Sequence, residues 1–222
     1  MHSKYLLHIA IGFVAVLLIS NTTAVKVVQW GPLVFDAATI LFPITYIFGD
    51  ILTEVYGYKA ARKVVWAGIG ATVLMAAAYA LVIYLPAAPF WGGQEAFAAT
   101  LGVVPRIVLA SIVGFFAGEF TNSYILSRMK VWTRGKHLWA RTISSTVAGQ
   151  GVDTVLFCVI AFALAIPNAA LFSMILTVYA LKVAYEVLAT PLTYVIVRKL
   201  KEAEGIDVYD RGIDYNPFSL KD

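Results

Sequence analysis

Charge, cysteine and histidine are scarce in this sequence of 222 residues. Only 14% of residues are Asp, Glu, Lys or Arg, against roughly a quarter in soluble domains. That shortage excludes an ordinary water-covered surface. A single cysteine, Cys158, excludes a disulfide framework. Three histidines, His2, His8 and His137, have no partner at metal-ligand spacing. No GxSxG, HExxH or Walker motif occurs, so nothing points to an enzyme, and the chain has no loop for hydrolysing ATP itself. No cofactor is expected. No basic block is interleaved with aromatics, and the net charge of +4 reads as membrane topology rather than nucleic-acid binding.

What fills the chain instead is hydrocarbon. Hydrophobic residues make up 60% and the mean hydropathy is +0.80. Apolar runs cover residues 5–23, 33–53, 64–85, 106–126, 141–166 and 171–197. Each is long enough to cross the ~30 Å hydrocarbon layer as a helix. They are continuous rather than alternating, which excludes a transmembrane barrel. The reading is an all-α membrane protein: a transport domain of six transmembrane helices over 1–197 and a short cytoplasmic tail over 198–222. The first run imitates a secretion signal, but Ser20–Ala24 makes a poor cleavage site, so it is read as a retained helix. The N-terminus, the second and fourth inter-span loops and the tail hold one, three, five and five Lys and Arg. The other loops hold two, Lys26 and Arg106, and Lys182 lies within a span. Both termini are therefore expected in the cytoplasm.

The stretch Leu33–Trp66 organises the rest. Its first two-thirds are apolar, yet Asp36, Pro43, Asp50 and Glu54 interrupt them. Pro43 predicts a kink or break near Thr39–Pro43. Carboxylates in hydrocarbon are costly unless they face a partner or a wet cavity, so each is a functional candidate. Tyr46, Asp50 and Glu54 make one stripe. Glu119 with Asn122, and Gln150 with Asp153, are i,i+3 pairs. Lys182 and Glu186 are i,i+4 and can pair within the last span. The bland alternative is that these charges only neutralise one another, but the acids outnumber the single basic residue, Lys182, read as buried. Asp36, near the outer end, is equally well an interfacial residue. Gly68, Thr72, Ala76 and Ala80 form a small-residue stripe that serves helix packing or a homodimer interface. Gly49-Asp50 and Gly118-Glu119, each with a tyrosine further on, hint at a 3+3 internal repeat.

Carboxylates, amides and aromatics in one bundle suit a flat, nitrogen-rich ligand. A carboxylate can accept two parallel N–H bonds, an amide can donate and accept, and a ring can stack. The same acids could instead carry protons.

Three segments are more specific: FPITYIFGDILTEVYGYKAARKVVW (Phe42–Trp66), GEFTNSYILSRMK (Gly118–Lys130) and STVAGQGVDTVLF (Ser145–Phe157). In these the chain resembles the queuosine precursor transporter family, also called the vitamin-uptake-transporter-like family. The resemblance implies inner-membrane import of 7-cyano-7-deazaguanine (preQ0) and 7-aminomethyl-7-deazaguanine (preQ1) for tRNA modification. It implies site roles for Asp50, Glu54, Glu119, Asn122, Gln150 and Asp153, to which the spacing adds Tyr46, Lys182 and Glu186. Expected partners are a deazapurine, the lipid bilayer and a second copy of the chain, with no nucleic acid. The alternatives are a membrane subunit that binds a vitamin- or purine-like substrate for an ATP-driven system, and a membrane-embedded scaffold or enzyme.

Overall fold

The computed structural model describes residues 3–30, 33–163, 167–216 and 218. Among them six helices are long and apolar enough to cross a membrane. They are α1 (Leu6–Thr23), α2 (Ala38–Ile51) together with the turn that follows it to Tyr56, α3 (Tyr58–Tyr84), α5 (Val104–Trp132), α6 (Leu138–Phe162) and α7 (Asn168–Glu204). A short α4 (Gln94–Leu101) precedes α5. The chain is thus a multi-pass, all-α membrane protein, as the spacing of apolar runs predicts.

Three expectations need correction. The second span does not begin at Leu33. Residues Val27–Trp30 and Leu33–Asp36 form an antiparallel hairpin, β1 and β2, with Val27 opposite Asp36. Asp36 lies two residues before helix α2, and its carboxylate accepts the backbone N–H of Thr39 at 3.1 Å and its hydroxyl at 3.0 Å. That gives Asp36 a capping role. The Gly31-Pro32 segment lies outside the described residues.

Secondly, α2 runs unbroken through Pro43. Pro43 is early enough in the helix that the carbonyl it leaves unbonded belongs to the first turns. The irregularity falls instead at Leu52–Tyr56, one π-helical turn that ends at Gly57 with φ +85°. A side chain at Gly57 would also meet Val208 and Asp210 at 2.8 and 2.9 Å.

Thirdly, the tail is part of the bundle. Helix α7 continues past 197 to Glu204. The following residues fold back under α3 and α5. Asp210 accepts the Tyr58 N–H at 3.0 Å and the Ser127 hydroxyl at 2.6 Å. Arg62 donates to the carbonyls of Asp214 and Asn216 at 3.1 and 2.7 Å. Tyr215 packs on Tyr58 with ring centroids 5.1 Å apart.

The core is built around α2. Some 71% of its span is buried inside the protein, against 39% for α6 and 22% or less for the others. Only a helix enclosed by protein can carry the acids of this segment away from lipid. The closest packing joins α5 and α6. A side chain on Gly118 would fall 2.6 Å from both Asp153 Cβ and the Tyr46 hydroxyl. One on Gly149 would fall 2.8 Å from Asn122 Cβ. Small residues let the two backbones approach. In the α3 stripe, a side chain on Gly68 would meet Phe13 and Leu17 of α1, and Thr72 is buried.

Candidate functional site

Two clusters of buried charge and amide emerge, one at the middle of the spans and one at the end where the tail docks.

In the middle, α2, α5 and α6 converge. Asp50 is 1% exposed, and its Oδ1 accepts from the Asn122 amide at 2.8 Å. Glu119 is fully buried and accepts from Ser123 at 3.3 Å. Ser123 also meets Thr53 at 3.0 Å. The Glu119 carboxylate lies so close to Gly49 that a side chain there would have to displace it. The two Gly-acid pairs therefore face each other across α2 and α5. Tyr46 is fully buried, with its ring edge-on to Phe115 at 6.2 Å. Gln150 is fully buried, and neither atom of its carboxamide has a hydrogen-bond partner among the described residues.

Asp153 and Lys182 adjoin this group. Their Oδ2–Nζ separation is 2.7 Å, with both side chains buried. The i,i+4 spacing suggests pairing of Lys182 with Glu186; among the described residues the ammonium reaches from α7 to Asp153 of α6. The Glu186 side chain lies outside the described residues. Beside the pair is a cavity of about 30 Å³, lined also by Ser20, Asn21, Thr39 and Ser111. It has room for about two waters. That is far below the roughly 300 Å³ or more of a typical ligand pocket.

At the end cluster, Glu54 is separated from the stripe it shares in sequence with Tyr46 and Asp50. The π-turn carries it to Arg141, which binds it through two nitrogens at 2.8 and 3.3 Å. Lys201 reaches the same carboxylate at 2.7 Å and Lys130 at 3.5 Å. Asp207 bridges Lys130 and Lys201 at 2.8 and 2.9 Å. Outside the spans, burial raises the Asp207 pKa, but hydrogen bonds from the two ammonium groups outweigh it and hold the carboxyl below its usual range. Lys182 is therefore not the single buried base. Lys130 and Arg141 are 2% and 1% exposed, and Arg62 is 1% exposed. Their position at span edges makes them look like loop charges, and only the fold shows that they turn inward. Among the described residues no cluster of His, Cys, Asp and Glu could hold a metal ion.

With this geometry in hand, comparison with known proteins is informative. Residues 36–196 match the family described as "Putative vitamin uptake transporter". A "Probable queuosine precursor transporter" of Bacillus subtilis (strain 168) is 26% identical over 199 residues, 89% of this chain and 86% of that protein. The "Queuosine precursor transporter" of Escherichia coli (strain K12) is 25% identical over 121 residues, 54% of this chain and 52% of the relative. A "Probable queuosine precursor transporter" of Haemophilus influenzae is 25% identical over 124 residues, 56% and 50% of the two chains. No solved structure matches.

Proposed function

The chain belongs to the vitamin uptake transporter family, and we propose that it imports 7-deazaguanine precursors of queuosine, preQ0 and preQ1, for tRNA modification. It is a transporter rather than an enzyme by that membership. The finer reading rests on the names of its relatives and on one observation: a buried group of two carboxylates and two carboxamides, Asp50, Glu119, Asn122 and Gln150, at the middle of a membrane bundle.

A 7-deazaguanine offers a ring N–H and an amino group side by side, and a carbonyl next to them. A carboxylate of Asp50 or Glu119 accepts the two N–H bonds in parallel, the geometry that makes fork-like pairs strong. The Asn122 and Gln150 amides supply a donor for the carbonyl. Tyr46 closes one side of the group with a ring. Asp153 and Lys182 then border the way in from the cavity. Glu54 belongs to the site only as an anchor, since its carboxylate is taken up by three cations.

The membrane is the cytoplasmic (inner) one in this reading, with both termini and the Glu54 cluster on the cytoplasmic side. Cysteines introduced at Gly92 and Lys136 should label from opposite sides, and labelling of both from outside would end that topology. The test of function is uptake in a strain that cannot make queuosine precursors. Expression should restore modified tRNA at low external preQ0 or preQ1. Unmodified tRNA, with the protein present in the membrane, would discard the substrate.

A further inference from the structure

Helix α6 is inside out. From Thr142 to Thr154 every buried position is polar or glycine, while Val147 and Val155 are exposed to the bilayer side. Thr142, Thr146, Gln150 and Thr154 recur every four residues, so they stand in one row. Each is at most 1% exposed. The three hydroxyls and both carboxamide atoms have no hydrogen-bond partner among the described residues.

This is not the default for a helical threonine. Thr22, Thr72, Thr121 and Thr133 donate to the carbonyl four residues back at 3.0, 2.9, 2.7 and 2.8 Å. The α6 hydroxyls decline that bond although helix geometry offers it. The row rises about 18 Å at 1.5 Å per residue. It begins beside Arg141, which grips Glu54. It ends beside Asp153, which holds Lys182 at the cavity.

Five orphaned polar atoms in line, inside a membrane bundle, oppose folding if the packing is permanent. They are satisfied if water or a ligand reaches the row in another state of the protein. We propose that this face of α6 is the wall of the transport path, and that Thr142, Thr146 and Thr154, with Gln150, contact the substrate as it passes between the two charge clusters. The row bears no charge, and hydroxyl and amide groups both donate and accept. It therefore suits a planar molecule rich in donors and acceptors, rather than a small inorganic ion. The proposal rests on the transporter reading but not on the identity of the substrate.

The lone native cysteine makes the test direct. In a Cys158→Ser background, single cysteines are placed at Thr142, Thr146 and Thr154, with Val147 and Val155 as bilayer-facing controls. Membrane vesicles are treated with a small, charged thiosulfonate. The row should react at least tenfold faster than the controls, because thiolate forms only where water reaches. Added 7-cyano-7-deazaguanine should slow the reaction. Fast reaction without that protection keeps the path and removes the substrate assignment. Reaction no faster than at Val147 and Val155 overturns the proposal. A second variant guards against disturbed folding. Thr146→Val keeps shape and deletes only the hydroxyl. Tenfold weaker uptake with undiminished thermal stability supports the path, and unchanged uptake makes the row inert packing.

Discussion

Glu54 and Glu119 are both glutamates with side chains almost wholly buried, yet their surroundings differ in kind. Glu54 sits where Arg141, Lys130 and Lys201 converge, with Asp207 balancing two of them. Glu119 lies amid hydroxyls, amides and glycine backbone, meeting Ser123 and flanking Gly49. The first arrangement has its lone pairs filled by cations. The second leaves neighbours such as Gln150 with hydrogen-bonding capacity unspent. A saturated cluster locks helix ends together, whereas an unsaturated one has something left to offer a ligand. The contrast fits the proposed division between anchoring and recognition within a single bundle.

The sharpest way to break the contrast is Glu54→Gln. It leaves three cations without the carboxylate they share, and breaking a buried ion pair costs about 3–5 kcal/mol. That is a large share of the ~5–15 kcal/mol that holds a domain together. We expect little monodisperse protein on solubilisation. A variant with wild-type thermal stability but no uptake would move Glu54 from anchor to transport.

Lys182→Met comes next. It strands the Asp153 carboxylate, so the single variant should be less stable than the double variant Lys182→Met with Asp153→Asn, because replacing a whole buried pair is often neutral. Thermal melts in detergent decide this. Uptake should be lost in both. A double variant that still transports would show the pair to be structural.

Glu119→Gln and Asp50→Asn keep size and remove charge. Each forfeits one hydrogen bond to a charged group, about 1.5–3 kcal/mol, or roughly ten- to a hundredfold in affinity. The KM for uptake should rise on that scale with the melting temperature nearly unchanged. Equal KM values in both variants would make the central group as inert as the end cluster.

The smallest effect concerns the tail. Asp210→Asn weakens the bonds to Tyr58 and Ser127 and should cost about 1–2 kcal/mol, read as a lowered melting temperature and faster trypsin cleavage at Arg211. Asp207 adds a pH dependence. Its folded pKa lies below the unfolded value of about 3.9. Its contribution is therefore complete above that value and is lost as pH falls through the depressed folded pKa. Tail cleavage by an acid-tolerant protease should stay slow from neutral pH down to about 4 and quicken only below it.

Much of this was legible before any coordinates. The span expected over 5–23 is α1, Leu6–Thr23, and the span over 106–126 lies within α5. Asp50 and Glu54 do sit in the most enclosed span. Other features were not. Leu33–Asp36 is apolar enough to extend the helix that follows, and a run of four residues has no period to distinguish strand from helix. Pro43 looked like the place for a break, but the irregular turn came at Leu52–Tyr56, just before Gly57. Lys130 and Arg141 read as loop charges because they flank apolar runs. The row Thr142, Thr146, Gln150 and Thr154 was visible as a spacing of four, but spacing alone does not say whether a face meets lipid or protein.

The sequence by itself determined that there are six spans, and their centres if not all their ends. In hydrocarbon a helix must satisfy its own backbone, so length and hydropathy are local quantities sufficient to place it. It also determined which residues share a helical face, through the 3.6-residue period. Only the tertiary structure decided which helix each face meets. Lys182 reaches across from α7 to Asp153 of α6, and Glu54 leaves its own stripe for Arg141. A buried charge takes whichever opposite charge the packing of distant segments brings within about 3 Å, and no spacing along the chain encodes that distance.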